Sequence, residues 1–177
     1  MEAIKNQVSP NCKSTKFELL VSFLWKCRII ALDLHPGENR QAAVSKAGLL
    51  CSNSLTYAVE LVKKLKDHMS EEYIKSVTNL MVIKGRPELS KSWNFIVSDN
   101  RSVGFDEFDF GWGKPIFGGV SEAISYISIG ISVNNEKGER GILVAISLPP
   151  LAMENFQKIV YKMTFKNVEG ANIISKM

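Results

Sequence analysis

Two histidines, three cysteines and one glycine-rich loop are where this chain of 177 residues could do chemistry. Histidine is the commonest general base, so it comes first. His35 stands in a breaker cluster, His35-Pro36-Gly37-Glu38-Asn39, and His68 in His68-Met69-Ser70-Glu71-Glu72. Neither has a neighbour that would orient it as a base. A histidine at the end of a helix is favoured by the dipole alone, which accounts for His68. No catalytic residue is assigned. Cys12, Cys27 and Cys51 are too few and too far apart for a disulfide framework or a zinc site, so no metal is expected. Cys27 lies in an apolar helical pattern, where a free thiol packs as a small hydrophobe.

The most distinctive segment is Asp109-Phe110-Gly111-Trp112-Gly113-Lys114-Pro115. A phosphate-binding loop would need a glycine where Phe108 stands and a serine or threonine where Pro115 stands. Asp-Phe-Gly also occurs in protein kinases, but their catalytic loop, lysine strand and glycine loop are absent. A dinucleotide fingerprint is absent as well. Bottom-up, the segment reads as a structural turn, with two glycines letting the backbone bend while the Trp112 ring packs between them. On that reading truncating Trp112 would cost ~3–5 kcal/mol. Asp109, beside Phe108, Phe110 and Trp112, would be partly buried and in need of a partner.

These residues need elements to position them. Residues 1–14 are polar and end in a loop, Pro10-Asn11-Cys12-Lys13-Ser14. From Thr15, Phe17, Leu20, Val21, Leu24, Trp25 and Arg28 recur at spacings of three and four, an amphipathic helix running to about Leu34. Ser14 or Thr15 caps it, with Glu18 at the capping-box distance from Thr15. Residues 37–52 show neither period. A helix follows from Ser54 to Lys66, with Leu55, Ala58, Val59 and Val62 on one face. Another is capped by Ser70, carries Tyr73, Ile74, Val77, Leu80 and Met81, and stops at Gly85-Arg86-Pro87.

Past Pro87 the period becomes two. Trp93 to Val97 reads as a strand. Ala123 to Val133 and Arg140 to Leu148 read as the arms of an antiparallel hairpin around a polar, glycine-containing loop. Pro149-Pro150 opens a last helix with Leu151, Met153, Phe156, Ile159 and Val160 facing inward, and the tail from Thr164 reads as loose. Helices followed by strands imply an α/β arrangement.

Composition bounds the function. Apolar residues make up 45% of the chain and charged residues 23%, the balance of an ordinary globular domain. The net charge is +4 and its basic residues are scattered, unlike the clustered face of a nucleic-acid binder. No apolar run approaches the ~18–20 residues of a membrane span, and no secretory leader opens the chain. The expected setting is the cytoplasm, with neither nucleic acid nor membrane as partner.

Asp109-Phe110-Gly111-Trp112-Gly113 with Lys114-Pro115 resembles the signature of the plant BAHD acyltransferases, which use acyl-CoA. Further segments resemble that family. They are Ser14 to Leu20 running on to Leu24-Trp25-Lys26-Cys27-Arg28, Leu80 to Pro87, Val97-Ser98-Asp99, Gly138 to Ile142, and Leu148 to Glu154. Within the family they are similar to the benzyl alcohol O-benzoyltransferase and methanol O-anthraniloyltransferase branch. The resemblance covers nearly the whole chain.

The resemblance implies a chloramphenicol acetyltransferase-like mixed sheet with flanking helices, the C-terminal domain of a two-domain fold. Residues 1–14 would be a linker remnant, 15–163 the domain and 164–177 a tail. It implies acyl-CoA as co-substrate, an alcohol or amine as acceptor, and no tightly bound cofactor. Asp109, Phe110, Gly111, Trp112 and Gly113 would be a structural motif. Ser14 and Thr15, with helix-start N–H groups suited to phosphate, and Ser98 and Asp99 would be contacts on the CoA side.

The chain departs from the family in two respects. The family base is the histidine of His-x-x-x-Asp, yet His35 is followed four residues on by Asn39 and His68 by Glu72. The chain also looks shortened near residues 39–47, which puts the family's arginine partner for Asp109 in doubt. A piece of an acyltransferase that is inactive alone is therefore expected. The alternative is a non-catalytic pseudoenzyme that binds a partner through an exposed apolar face.

Overall fold

A computed structural model describes residues 1–33, 39–40, 45–85, 95–105, 107–122, 127–135 and 137–165. They fall into two compact units, one made of residues 1–90 with 150–177, the other of residues 91–149. In the first are α1 (Glu2–Lys5), α2 (Lys16–Ala31), the two-residue strands β1 (Asn39–Arg40) and β2 (Ser45–Lys46), α3 (Ala47–Ser52), α4 (Leu55–His68) and α5 (Glu71–Lys84). The second holds β3 (Ile96–Asp99), β4 (Ile127–Asn134) and β5 (Arg140–Ala145), and the chain then returns to the first as α6 (Pro150–Phe165).

Helix α2 is the axis of the first unit. Thr15 and Glu18 form the expected capping box: the Thr15 hydroxyl accepts from the Glu18 N–H, and the Glu18 carboxylate from the Thr15 N–H. The helix ends at Ala31, a little before the expected Leu34, with Asp33 in the left-handed region. It is buried almost all round, not along one stripe. Leu19, Leu20, Phe23, Leu24, Trp25, Cys27 and Ile29 all lie in the core, because α1, α3, α4 and α6 pack around it.

The flanking helices follow their periodicity. In α4 the buried residues are the expected Leu55, Ala58, Val59 and Val62. Ser70 caps α5 by accepting from the Tyr73 N–H, and Gly85 ends it with φ +72°. Nothing in α5 is buried. Two expectations fail here. Pro10 to Ser14 is a loop as expected, but the stretch before it, read as merely polar, forms α1 and sends Ile4 and, beyond the helix, Val8 into the core. Leu151 does not face inward but is 71% exposed, because α6 buries Ala152 and Phe156 instead. The helix runs through Thr164 to Phe165; residues 166–177, like His35, Trp93 and the breaker residues Arg86 and Pro87, lie outside the described set.

The second unit is a mixed three-stranded sheet in the order β3-β4-β5. The hairpin is as expected, β4 antiparallel to β5 from Ile129↔Ala145 to Asn134↔Arg140. Asn135 holds its loop by accepting from the N–H groups of Lys137 and Glu139, and Gly138 supplies φ +76°. Strand β3 pairs in parallel with β4, from Ile96↔Ile127 to Asp99↔Gly130. Periodicity could not show this, since parallel partners are joined through a long crossover. That crossover carries the glycine-rich loop. Ser128, Ile129 and Ile131 of β4 form the buried centre of the unit.

Candidate functional site

Asp109 organises the crossover loop. One of its carboxylate oxygens accepts hydrogen bonds from the N–H groups of Gly111 at 2.7 Å and Gly113 at 3.0 Å. Gly111 and Gly113 hold φ +94° and +96°, where a side chain would be strained. Aspartate satisfying main-chain donors two and four residues on is a turn built from its own sequence. The tight turn is therefore as expected, but its packing is not. Trp112 is 95% exposed, and Phe108 and Phe110 also face solvent. Asp109 is exposed too, and its described partners are two backbone N–H groups. The aromatic neighbours point outward, so they do not desolvate the carboxylate.

Just downstream, two further glycines permit close approach. A Cβ at Gly118 would meet the Phe105 carbonyl oxygen at 2.4 Å, and one at Gly119 would meet the Ile131 side chain at 2.4 Å. The loop is thereby seated on the sheet. Sequence reading passed over both residues, whose signal is only a Gly-Gly pair.

Ser98 and Asp99 lie together at the end of β3. The Ser98 hydroxyl donates to the Asn100 side chain at 3.0 Å, and Asn100 N–H continues the ladder to the Gly130 carbonyl. Asp99 accepts from both Nε and Nη2 of Arg101 at 2.6 Å, a two-pronged pair that holds its carboxyl below the usual range. Arg101 was missed in the sequence; only the Asp-x-Arg spacing could have pointed to it.

In the other unit, Ser14 is half-buried and Thr15 is the cap of α2. Glu18 is buried at the same helix start and also takes an ion pair from Lys66, which links α2 to α4. Hydrogen bonds from Lys66 and from the Thr15 N–H hold the Glu18 carboxyl below its ordinary value. A second buried charge went unnoticed. Lys26, in the apolar α2 run, donates its ammonium to the carbonyls of Leu50, Cys51 and Asn53 at the end of α3. His68 is exposed and holds its Nδ1 on the Lys64 carbonyl. Cys27 is fully buried, as expected, and burial pushes its thiol up to about 12. Among the described residues no group of three or more His, Cys, Asp or Glu is placed to hold a metal, and no helix is long and apolar enough to cross a membrane.

The profile of the Transferase family matches residues 40–163, taking in the motif turn, the whole sheet and most of the helices. The chain belongs to this family, the BAHD acyltransferases. Its BAHD relatives include alcohol acyltransferase 16 of Actinidia chinensis var. chinensis, 40% identical over 96% of this chain and 44% of its own length. Alcohol acyl transferase 2 of Malus domestica is 39% identical over all of this chain and 47% of its own length. This chain thus spans about half the length of the curated relatives it matches. The Malus match runs over 215 residues and takes in all 177 residues here, so the relative has residues inside that span that this BAHD chain lacks. The fold is shared with the crystal structure of F. sporotrichioides TRI101 complexed with coenzyme A and T-2. The TM-score is 0.59 at 16% identity, over 89% of this chain and 45% of that one. The expected chloramphenicol acetyltransferase-like mixed sheet is the fold of this BAHD chain.

Proposed function

We propose that this chain is part of an enzyme that moves an acyl group from acyl-CoA to an alcohol, and that these 177 residues alone do not turn over. The observation carrying the first half is the family match together with relatives named alcohol acyltransferases. The coenzyme A in the structural neighbour is consistent with the donor.

The chemistry needs a base at the acceptor oxygen, so that the alkoxide can attack the thioester carbonyl as CoA leaves. A positioned base contributes ~10²–10⁴-fold. The chain offers no His-x-x-x-Asp, since Asn39 follows His35 and Glu72 follows His68. His68 sits exposed at the end of α4. Without donor and acceptor held together, a proximity term of up to ~7–11 kcal/mol is also lost. In this reading the motif turn is structural, and Ser14, Thr15, Ser98 and Asp99 are contacts on the CoA side. Because the Thr15 side chain already serves a cap and those of Ser98 and Asp99 a turn, a phosphate would draw mainly on main-chain N–H groups there.

The test is direct. Purified chain given benzoyl-CoA or acetyl-CoA with benzyl alcohol should release thiol no faster than a blank. Release abolished by His35→Ala or His68→Ala would overturn the reading. Retention of the chain on CoA resin at low salt supports a formed CoA wall, and flow-through counts against it.

A second reading is a non-catalytic partner-binding protein. It is favoured by α5, none of whose residues is buried although Tyr73, Ile74, Leu80, Val82 and Ile83 are apolar.

A further inference from the structure

The geometry points to a self-acylation site beside α4, where the Cys12 thiol takes an acyl group from acyl-CoA and passes it to the side-chain amine of Lys63. The inference takes its donor class from the acyl-CoA reading above, but it needs no alcohol and no turnover.

Thr56, Glu60 and Lys63 recur at spacings of four and three, so they share one face of α4. The Thr56 hydroxyl accepts from the Ser9 N–H at 3.0 Å, which fastens the Ser9–Cys12 turn beside that face. Within the turn the Cys12 N–H donates to the Ser9 carbonyl at 2.9 Å, and Pro10 stands at the second position, where a fixed φ is favoured. One oxygen of Glu60, Oε1, then accepts from the Cys12 thiol at 3.1 Å and from the Lys63 ammonium at 3.0 Å. That shared oxygen clamps the pair, with Lys63 Nζ 3.6 Å from Cys12 Sγ. Cys12 and Lys63 are half-buried and Glu60 is exposed, so a thioester can approach from solvent.

A thiol and an amine in contact can do what neither does alone. The Cys12 thiol loses its proton to water, and the thiolate attacks the thioester carbonyl. The carbon–sulfur bond to CoA breaks, CoA leaves as a thiolate and takes up a proton, and an acyl thioester remains on Cys12. Lys63, as the free amine, attacks the same carbonyl. A carbon–nitrogen bond forms, the bond to the Cys12 sulfur breaks, and the proton lost by the amine restores the thiol. Nothing is oxidised or reduced. The second step is intramolecular and starts close to the ~3–3.5 Å of a near-attack pair, so proximity favours it strongly. Burial, and Glu60 after it, hold the Cys12 thiol above its ordinary value, and Glu60 raises the Lys63 ammonium. Both groups give up their protons late, so the transfer is slow at neutral pH and quickens toward pH 9.

The chain carries its own controls. Cys51 is exposed, but the Lys26 ammonium bonded to its carbonyl has all three hydrogens on main-chain oxygens. Lys75 pairs with Glu71 much as Lys63 does with Glu60, with no cysteine bonded to it among the described residues.

The experiment incubates the full chain with acetyl-CoA at pH 7, 8 and 9 without alcohol. Peptides are then weighed by mass spectrometry before and after hydroxylamine, which cleaves thioesters and spares amides. Amide on Lys63 should form at least about tenfold faster than on Lys75, and faster as pH rises. Cys12→Ser should bring Lys63 down to the Lys75 rate. Lys63→Arg, which keeps the charge beside Glu60, should let a hydroxylamine-labile acyl group accumulate on Cys12. Lys63 modified no faster than Lys75, Lys63 modified equally in Cys12→Ser, or no thioester on Cys12 in Lys63→Arg would each overturn the inference. CoA released this way stops once the side chains are modified, whereas transfer to benzyl alcohol would repeat, so each reading can fail without the other.

Discussion

The ammonium of Lys26 donates a 2.7 Å hydrogen bond to the carbonyl of Leu50, at the end of a different helix. It reaches the carbonyls of Cys51 and Asn53 as well, so one buried cation satisfies a helix C-terminus that carries partial negative charge. Burial alone would push its pKa down, and that is its direction. Lys26→Met keeps the stem and removes the donor, leaving the buried Leu50 carbonyl and the part-buried Cys51 and Asn53 carbonyls without it. A loss of about 2–4 kcal/mol is expected, from ~1–3 kcal/mol for each group left unsatisfied. At ~2–4 °C per kcal/mol for a chain of this size, the thermal midpoint should fall visibly, while a surface control such as Lys75→Met should not move it.

Glu18 makes stability depend on acid. Its folded pKa is lowered, by Lys66 first and by the Thr15 N–H second. A lowered carboxyl contributes stability that is full above its unfolded value, about 4.3, and is lost as pH falls through its folded value. Glu18→Gln should cost about 1–2 kcal/mol at neutral pH. The same variant should flatten the acid limb of a denaturation curve between about pH 5 and 3. An acid limb identical in the two proteins would show that another carboxylate governs it.

Thiol counting should separate the three cysteines. Cys27 is fully buried with its pKa pushed up to about 12, whereas Cys51 is exposed and Cys12 half-buried. Burial and a raised pKa both keep Cys27 from reacting at pH 8. A coloured disulfide reagent should titrate two thiols in the native protein and three in denaturant. Three fast thiols in the native state would mean that α2 and α6 do not pack as described.

The motif turn gives a paired prediction. Trp112→Ala should leave stability within about 0.5 kcal/mol, because the ring is almost wholly in solvent. Gly113→Ala meets no atom within 4 Å, yet it forces a side chain into positive φ at a cost of about 1–2 kcal/mol. Melting curves of the two variants should therefore rank opposite to the sizes of the groups changed.

Legibility in the sequence followed locality. The capping box, the buried face of α4, the Ser70 cap and the hairpin depend on neighbours a few residues apart, and those were readable. The misreadings all needed a distant partner. Helix α2 is surrounded because four helices converge on it, which its own period cannot say. Strand β3 lies parallel to β4 across more than two dozen intervening residues. Trp112 read as buried because tryptophan usually is, and only tertiary structure shows a side chain facing water. At the candidate site the family motif was plain, whereas Arg101, Lys26 and the seating of Gly118 and Gly119 come from geometry.

The first unit is written in two pieces of sequence, residues 1–90 and 150–177, with the sheet between them. During synthesis this imposes a wait. Helix α2 leaves the ribosome before the sheet, and α6, whose Met163 meets Gln7 and Cys27, leaves after it. At ~5–20 residues per second, the ~120 residues between Ala31 and Pro150 hold the apolar flank of α2 open for roughly 6–24 seconds. Closing a stretch of that length also carries a chain-entropy cost, which is reduced if the sheet has already compacted it. Yield in a cell should therefore respond to translation speed and chaperone supply more than to the strength of any contact in the finished protein.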